Sequence, residues 1–68
     1  MTTTPEMIAR VERDYREICK EPIRVEFIKG VMYVFGSQLA CYRLHYKMGI
    51  GRVGFSVNLN TWYYEKET

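Results

Sequence analysis

SQLACYRLHYKMGIGR, residues 37–52, decides how the rest of the chain is arranged, because it satisfies two periods at once. At 100° per residue Ala40, Cys41, Leu44 and Met48 form one apolar stripe, while Leu39, Tyr42 and Tyr46 form a second on the far side. At 180° per residue the same segment alternates, with Cys41, Arg43, His45 and Lys47 against Ala40, Tyr42, Leu44, Tyr46 and Met48. The helical reading is preferred. Ser37 is an N-cap type, Gly49 is a C-terminal stop, and Gln, Leu, Ala, Arg, Lys and Met are good helix formers. The first stripe then faces the core. The second needs a cover, which is another part of the chain, a second copy or a partner.

Before this segment, Thr4-Pro5-Glu6 is a helix start, with a hydroxyl to cap, a proline at the first helical position and an acid near the positive end of the dipole. Met7, Ile8, Val11, Tyr15, Ile18 and Cys19 follow at helical spacing, and Pro22 ends the run. Glu12 with Arg16 and Arg13 with Glu17, each four apart, read as a solvated face. From Ile23 to Phe35 the chain alternates about Lys29-Gly30, a two-residue hairpin turn. That turn pairs Ile28 with Val31, Phe27 with Met32, Glu26 with Tyr33, Val25 with Val34 and Arg24 with Phe35. One face is then wholly apolar (Ile23, Val25, Phe27, Met32, Val34). The other sets Ile28, Val31, Tyr33 and Phe35 in an exposed patch, which monomers usually avoid.

After residues 49–54, with three glycines in six positions, alternation resumes. A four-residue turn at Asn58-Leu59-Asn60-Thr61 pairs Val57 with Trp62 and Phe55 with Tyr64, leaving Ser56 and Tyr63 pointing away. Residues 1–4 and 66–68 are expected to be disordered, with Glu65 to Thr68 a polar tail. The fold expected is α+β in the order αββαββ, a two-layer sandwich with two helices on one face of a four-stranded antiparallel sheet.

At 68 residues this is a single domain whose core stabilises it only modestly, so a partner or second copy is a natural support. The two cysteines stand 22 positions apart without C-x-x-C spacing, which suggests free buried thiols in a reducing, cytoplasmic setting. No apolar run approaches the ~20 residues a membrane span needs, and nothing resembles a targeting segment.

The net charge of +2 is uninformative, but its distribution is not. No carboxylate occurs from Phe27 to Tyr64, where Lys29, Arg43, Lys47 and Arg52 remain. Arg43, His45, Lys47 and Arg52, interleaved with Tyr42 and Tyr46, form a possible anion or nucleic-acid contact. No helix-turn-helix, RNP-type, GxxG or zinc-finger pattern accompanies them. Cys41 and His45 are four apart, yet two ligands do not make a metal site, so neither metal nor cofactor is expected. Gly36-Ser37 at a helix start is a common arrangement and by itself marks no anion site. With one histidine and no triad, carboxylate pair or phosphate loop, the chain is expected not to be an enzyme; His45 would be the first suspect if it were.

The expectation is therefore a small non-catalytic protein–protein interaction module, self-associating as a homodimer. Its interface is assigned to Ile28, Val31, Tyr33, Phe35, Leu39, Tyr42 and Tyr46, the last three being either interface or internal packing. A nucleic-acid-binding regulator using residues 42–52 is the alternative.

Overall fold

The computed structural model describes residues 4–67. Its elements run α1 (Pro5–Cys19), β1 (Arg24–Ile28), β2 (Val31–Gly36), α2 (Gln38–Met48), β3 (Arg52–Ser56) and β4 (Thr61–Glu67). The four strands form one antiparallel sheet in the order β1-β2-β4-β3, and both helices lie on one face of it. This is the αββαββ sandwich expected from the sequence.

Both helices begin and end as their caps dictate. The Thr4 hydroxyl accepts from the Met7 amide at 3.2 Å, and the Ser37 hydroxyl accepts from the Ala40 amide at 3.1 Å. Lys20 closes α1 and Gly49 closes α2, both in the left-handed conformation. The apolar stripe of α2 is buried as its spacing requires, with Ala40, Cys41 and Leu44 fully enclosed. They pack with Cys19, Val25, Met32, Val34 and Tyr64 into one core, against which Ile8, Val11, Tyr15, Ile18, Ile23, Phe27, Met48, Val53 and Trp62 rest.

The first hairpin has the expected register, Val25 opposite Val34 and Phe27 opposite Met32. Lys29 and Gly30 both take positive φ, 50° and 78°, as a turn matched to strand twist requires. In the second hairpin the turn differs. Ser56 pairs with Thr61, Phe55 with Trp62 and Val53 with Tyr64, so the loop is residues 57–60 and not 58–61. The Ser56 hydroxyl accepts from the Leu59 amide and Asn60 takes the left-handed conformation at φ 52°. These local bonds set the turn one residue earlier and release Thr61 into the strand. The resulting two-residue shift keeps every side chain on its expected face, but Val57 leaves the core face for the loop and is 82% exposed.

Two further expectations are corrected. Thr4 is the ordered cap of α1, and Glu65, Lys66 and Glu67 are not a tail but the end of β4, paired with Tyr33, Met32 and Val31. Without them the second edge of β2 would have unpaired backbone groups, and satisfying those outweighs the polar character of the side chains. The rest of the expected disorder, residues 1–3 and 68, lies outside the described residues. Glu12 is also more than a solvated charge: its carboxylate accepts from the Val25 amide at 3.0 Å, covering part of the edge of β1 with a side chain of α1.

Candidate docking surface

The helices cover one face of the sheet and leave the other open. Register sets the order of side chains across the open face. Glu26, Tyr33, Glu65 and Arg52 form one row across β1, β2, β4 and β3; Arg24, Phe35, Tyr63 and Gly54 form the next. Tyr33 and Phe35 stack at 6.2 Å between centroids, Tyr63 meets Tyr33 edge-on at 6.0 Å, and the Arg24 guanidinium lies 5.2 Å from the centre of the Phe35 ring. Gly54 makes room for this arrangement, since a Cβ there would lie 2.6 Å from the Tyr63 hydroxyl. A groove of about 200 Å³ between Ile28, Tyr33, Phe35, Tyr63, Ser56 and Leu59 crosses the face.

Four of the expected interface residues, Ile28, Val31, Tyr33 and Phe35, are thus brought together here. Tyr63 and Leu59 join them and were missed. Tyr63 was legible as pointing away from the core, but its place beside Tyr33 and Phe35 depends on β4 pairing with β2.

Leu39, Tyr42 and Tyr46 lie on the helical side, away from this patch. No described element covers all three: Leu39 is 55% and Tyr46 82% exposed, while Tyr42 leans on Trp62 at 6.3 Å. Trp62 in turn meets Phe55 edge-on at 5.5 Å. Tyr42, Trp62 and Phe55 therefore make a second, smaller aromatic cluster that links α2, β4 and β3.

The basic segment is dispersed rather than gathered. Arg43 is half-buried and donates to the Cys19 carbonyl at 2.6 Å, placing a cation on the last turn of α1, where the helix dipole favours it. Arg52 lies on the open sheet face, 3.6 Å from Glu65. Lys47 is exposed. His45 has its Nδ1 buried without a hydrogen-bond partner among the described residues, and its ring lies 6.0 Å from that of Tyr46. A second depression, about 370 Å³ between Val31, Gly51 and Arg52, is ringed by both charge signs, Arg52 and Lys66 against Glu65 and Glu67.

Cys19 and Cys41 are free and fully buried. Burial, reinforced by Glu21 and partly offset by Arg43, pushes the Cys19 thiol from 9.0 to about 11. Burial and the neighbouring Cys19 push Cys41 to about 11 as well, against the opposing effect of a backbone hydrogen bond at Gly36. Both thiols therefore stay protonated and weakly nucleophilic near neutrality. The folded chain holds these protons more tightly than the unfolded one, so stability is complete below about pH 9 and is lost as pH rises toward 11. Urea unfolding is expected to show a loss of about 1 kcal/mol per thiol between roughly pH 8 and pH 10. The slope should shrink in a Cys19→Ala/Cys41→Ala chain; an equally steep slope there would assign it to other groups. Among the described residues no three His, Cys, Asp or Glu side chains gather as a metal site would need, and no helix is long and apolar enough to cross a membrane.

Compared with protein-family models, curated proteins and solved structures, the chain matches none.

Proposed function

We propose that this chain is a small non-catalytic docking module that binds protein through the open face of its sheet, in the simplest case a second copy of itself. The observation that carries the reading is the uncovered apolar and aromatic groove on that face, lined by Ile28, Tyr33, Phe35, Tyr63 and Leu59. Aromatic side chains on a rigid sheet give large contact area at little entropic cost, the composition typical of protein interfaces. The free buried thiols suit a reducing compartment such as the cytoplasm.

Charge weighs against nucleic acid as the occupant. The face carries Glu26, Glu65 and Glu67 with Arg24 and Arg52, an excess of carboxylate where phosphates would have to lie. On the helical side Arg43 is engaged with α1, which leaves Lys47 as the exposed cation of α2.

Sedimentation equilibrium tests the reading. The wild-type chain is expected to associate at micromolar concentration, and Tyr33→Asp or Phe35→Asp to weaken association at least roughly a hundredfold by placing a charge in the centre of the contact. A single species at 8.1 kDa throughout, unchanged by either substitution, would overturn self-association. Salt-sensitive binding of oligonucleotides lost with Arg43→Glu/Lys47→Glu would favour the other occupant.

A further inference from the structure

The open face is self-complementary in charge as well as apolar, and this deepens the docking reading, on which it rests. We infer that two copies pack their open sheet faces together about a two-fold axis parallel to the strands and passing between β2 and β4. Such an axis lays β1 of one protomer over β3 of its partner, and β2 over β4. In the two central rows the consequences follow from register, while in the row Ile28–Val31–Glu67 the axis lays Glu67 over Val31 at the margin of the contact. In the row Glu26–Tyr33–Glu65–Arg52, Glu26 of each protomer meets Arg52 of the other, and the Tyr33 hydroxyl reaches the opposing Glu65 carboxylate as a donor. In the row Arg24–Phe35–Tyr63–Gly54, Phe35 meets Tyr63. Arg24 arrives over Gly54, where there is no side chain and the hydroxyl end of Tyr63 lies.

The other in-plane axis, perpendicular to the strands and between these two rows, is less well matched. It sets Arg24 against Glu26, which are paired at 3.6 Å within each protomer, just as Arg52 and Glu65 are, so either axis exchanges internal pairs for intermolecular ones. It also leaves Glu65 over Tyr63 and Arg52 over Gly54, with neither of these charges opposite its counter-charge. Only the strand-parallel axis gives both end-of-row charges an opposite charge. Aligned packing of two twisted sheets offsets the strands by about 30°, which the long Glu26, Arg24 and Arg52 side chains can span. The aromatic centre holds the contact together, and the peripheral charges select its register.

Charge reversal separates this arrangement from the broader reading. Glu26→Arg and Arg52→Glu, each alone, place like charges at both ends of the contact and are expected to weaken dimerisation at least roughly tenfold. Mixed in equal amounts, they restore opposite charges at both ends, and native mass spectrometry should show the mixed dimer strongly favoured over either homodimer. If Tyr33→Asp abolishes the dimer but the mixture shows no preference for the mixed species, this pairing is wrong while docking through the face stands. Preference for the mixed dimer in a Glu26→Arg with Arg24→Glu mixture instead would assign the perpendicular axis and overturn the one inferred. A wild-type chain that stays monomeric removes both the pairing and self-docking.

Discussion

Tyr64→Ala is expected to leave a large fraction of the chain unfolded at 25 °C. Tyr64 is the largest fully buried side chain, placed on the core face of β4 between α2 and the β3 side of the sheet. Truncating a buried aromatic residue costs about 3 to 5 kcal/mol through lost transfer energy and the cavity left behind. A domain of 68 residues has roughly 3 to 10 kcal/mol in total, so the loss is comparable with the whole. The substitution also removes the hydroxyl that donates to the Ile50 carbonyl at 2.7 Å. Tyr64→Phe divides the two contributions, since it keeps the ring and should cost about 0.5 to 1.5 kcal/mol. Urea unfolding followed by circular dichroism checks both. An Ala variant with the wild-type midpoint would mean that the core closes without this ring.

Gly51→Ala is expected to be nearly as severe, at roughly 2 to 4 kcal/mol. Gly51 has φ 93°, and a Cβ on it would stand 2.6 Å from the Glu65 carbonyl oxygen and 2.8 Å from the Tyr64 ring. Strain and collision therefore act together, and one of the colliding atoms is backbone in the adjacent strand, with little freedom to retreat. Gly49 provides the internal comparison. Its φ is 74° and nothing lies within 4 Å of the position a Cβ would take, so Gly49→Ala should cost only about 1 kcal/mol. Thermal unfolding of the two variants should rank them in that order; equal losses would show that backbone conformation alone, and not the approach of β4, governs Gly51. The contact also has a bearing on the open face of the sheet, because it seats the start of β3 and with it Arg52.

Where each feature could be read depends on how far apart in the chain its determinants lie. Ser37, Gly49 and the apolar stripe between them are within one helix length, and the competing alternation of the same residues loses to the caps. The Lys29-Gly30 turn sets the register of β1 on β2, and a loop longer or shorter by one residue would put Val25 and Val34 on opposite faces of the sheet. The second hairpin was legible in its faces but not its turn, since Ser56 and Asn60 decide the loop through hydrogen bonding that residue type alone does not specify.

The composition of the site divides in the same way. Ile28, Val31, Tyr33 and Phe35 share a face by local pairing, so an exposed apolar patch was already implied. That Tyr63 completes it, that Glu65 and Arg52 border it, and that residues 65–67 are strand rather than tail all follow from β4 inserting between β2 and β3. Arg43 is the clearest reversal: its spacing from Lys47 suggested a cationic pair on a free surface, while its guanidinium in fact serves the end of a helix 24 residues away in sequence.

The sequence by itself determined the type and order of the elements, the Ser37 and Gly49 caps of α2, the first hairpin and which residues are apolar on each face, because these are written in periods and turns a few residues long. Only the tertiary structure decided the strand order β1-β2-β4-β3, the rows of side chains across the open face and the partner of each charge. Those depend on which distant segments satisfy one another's backbone edges and buried surfaces, a choice that no local pattern contains.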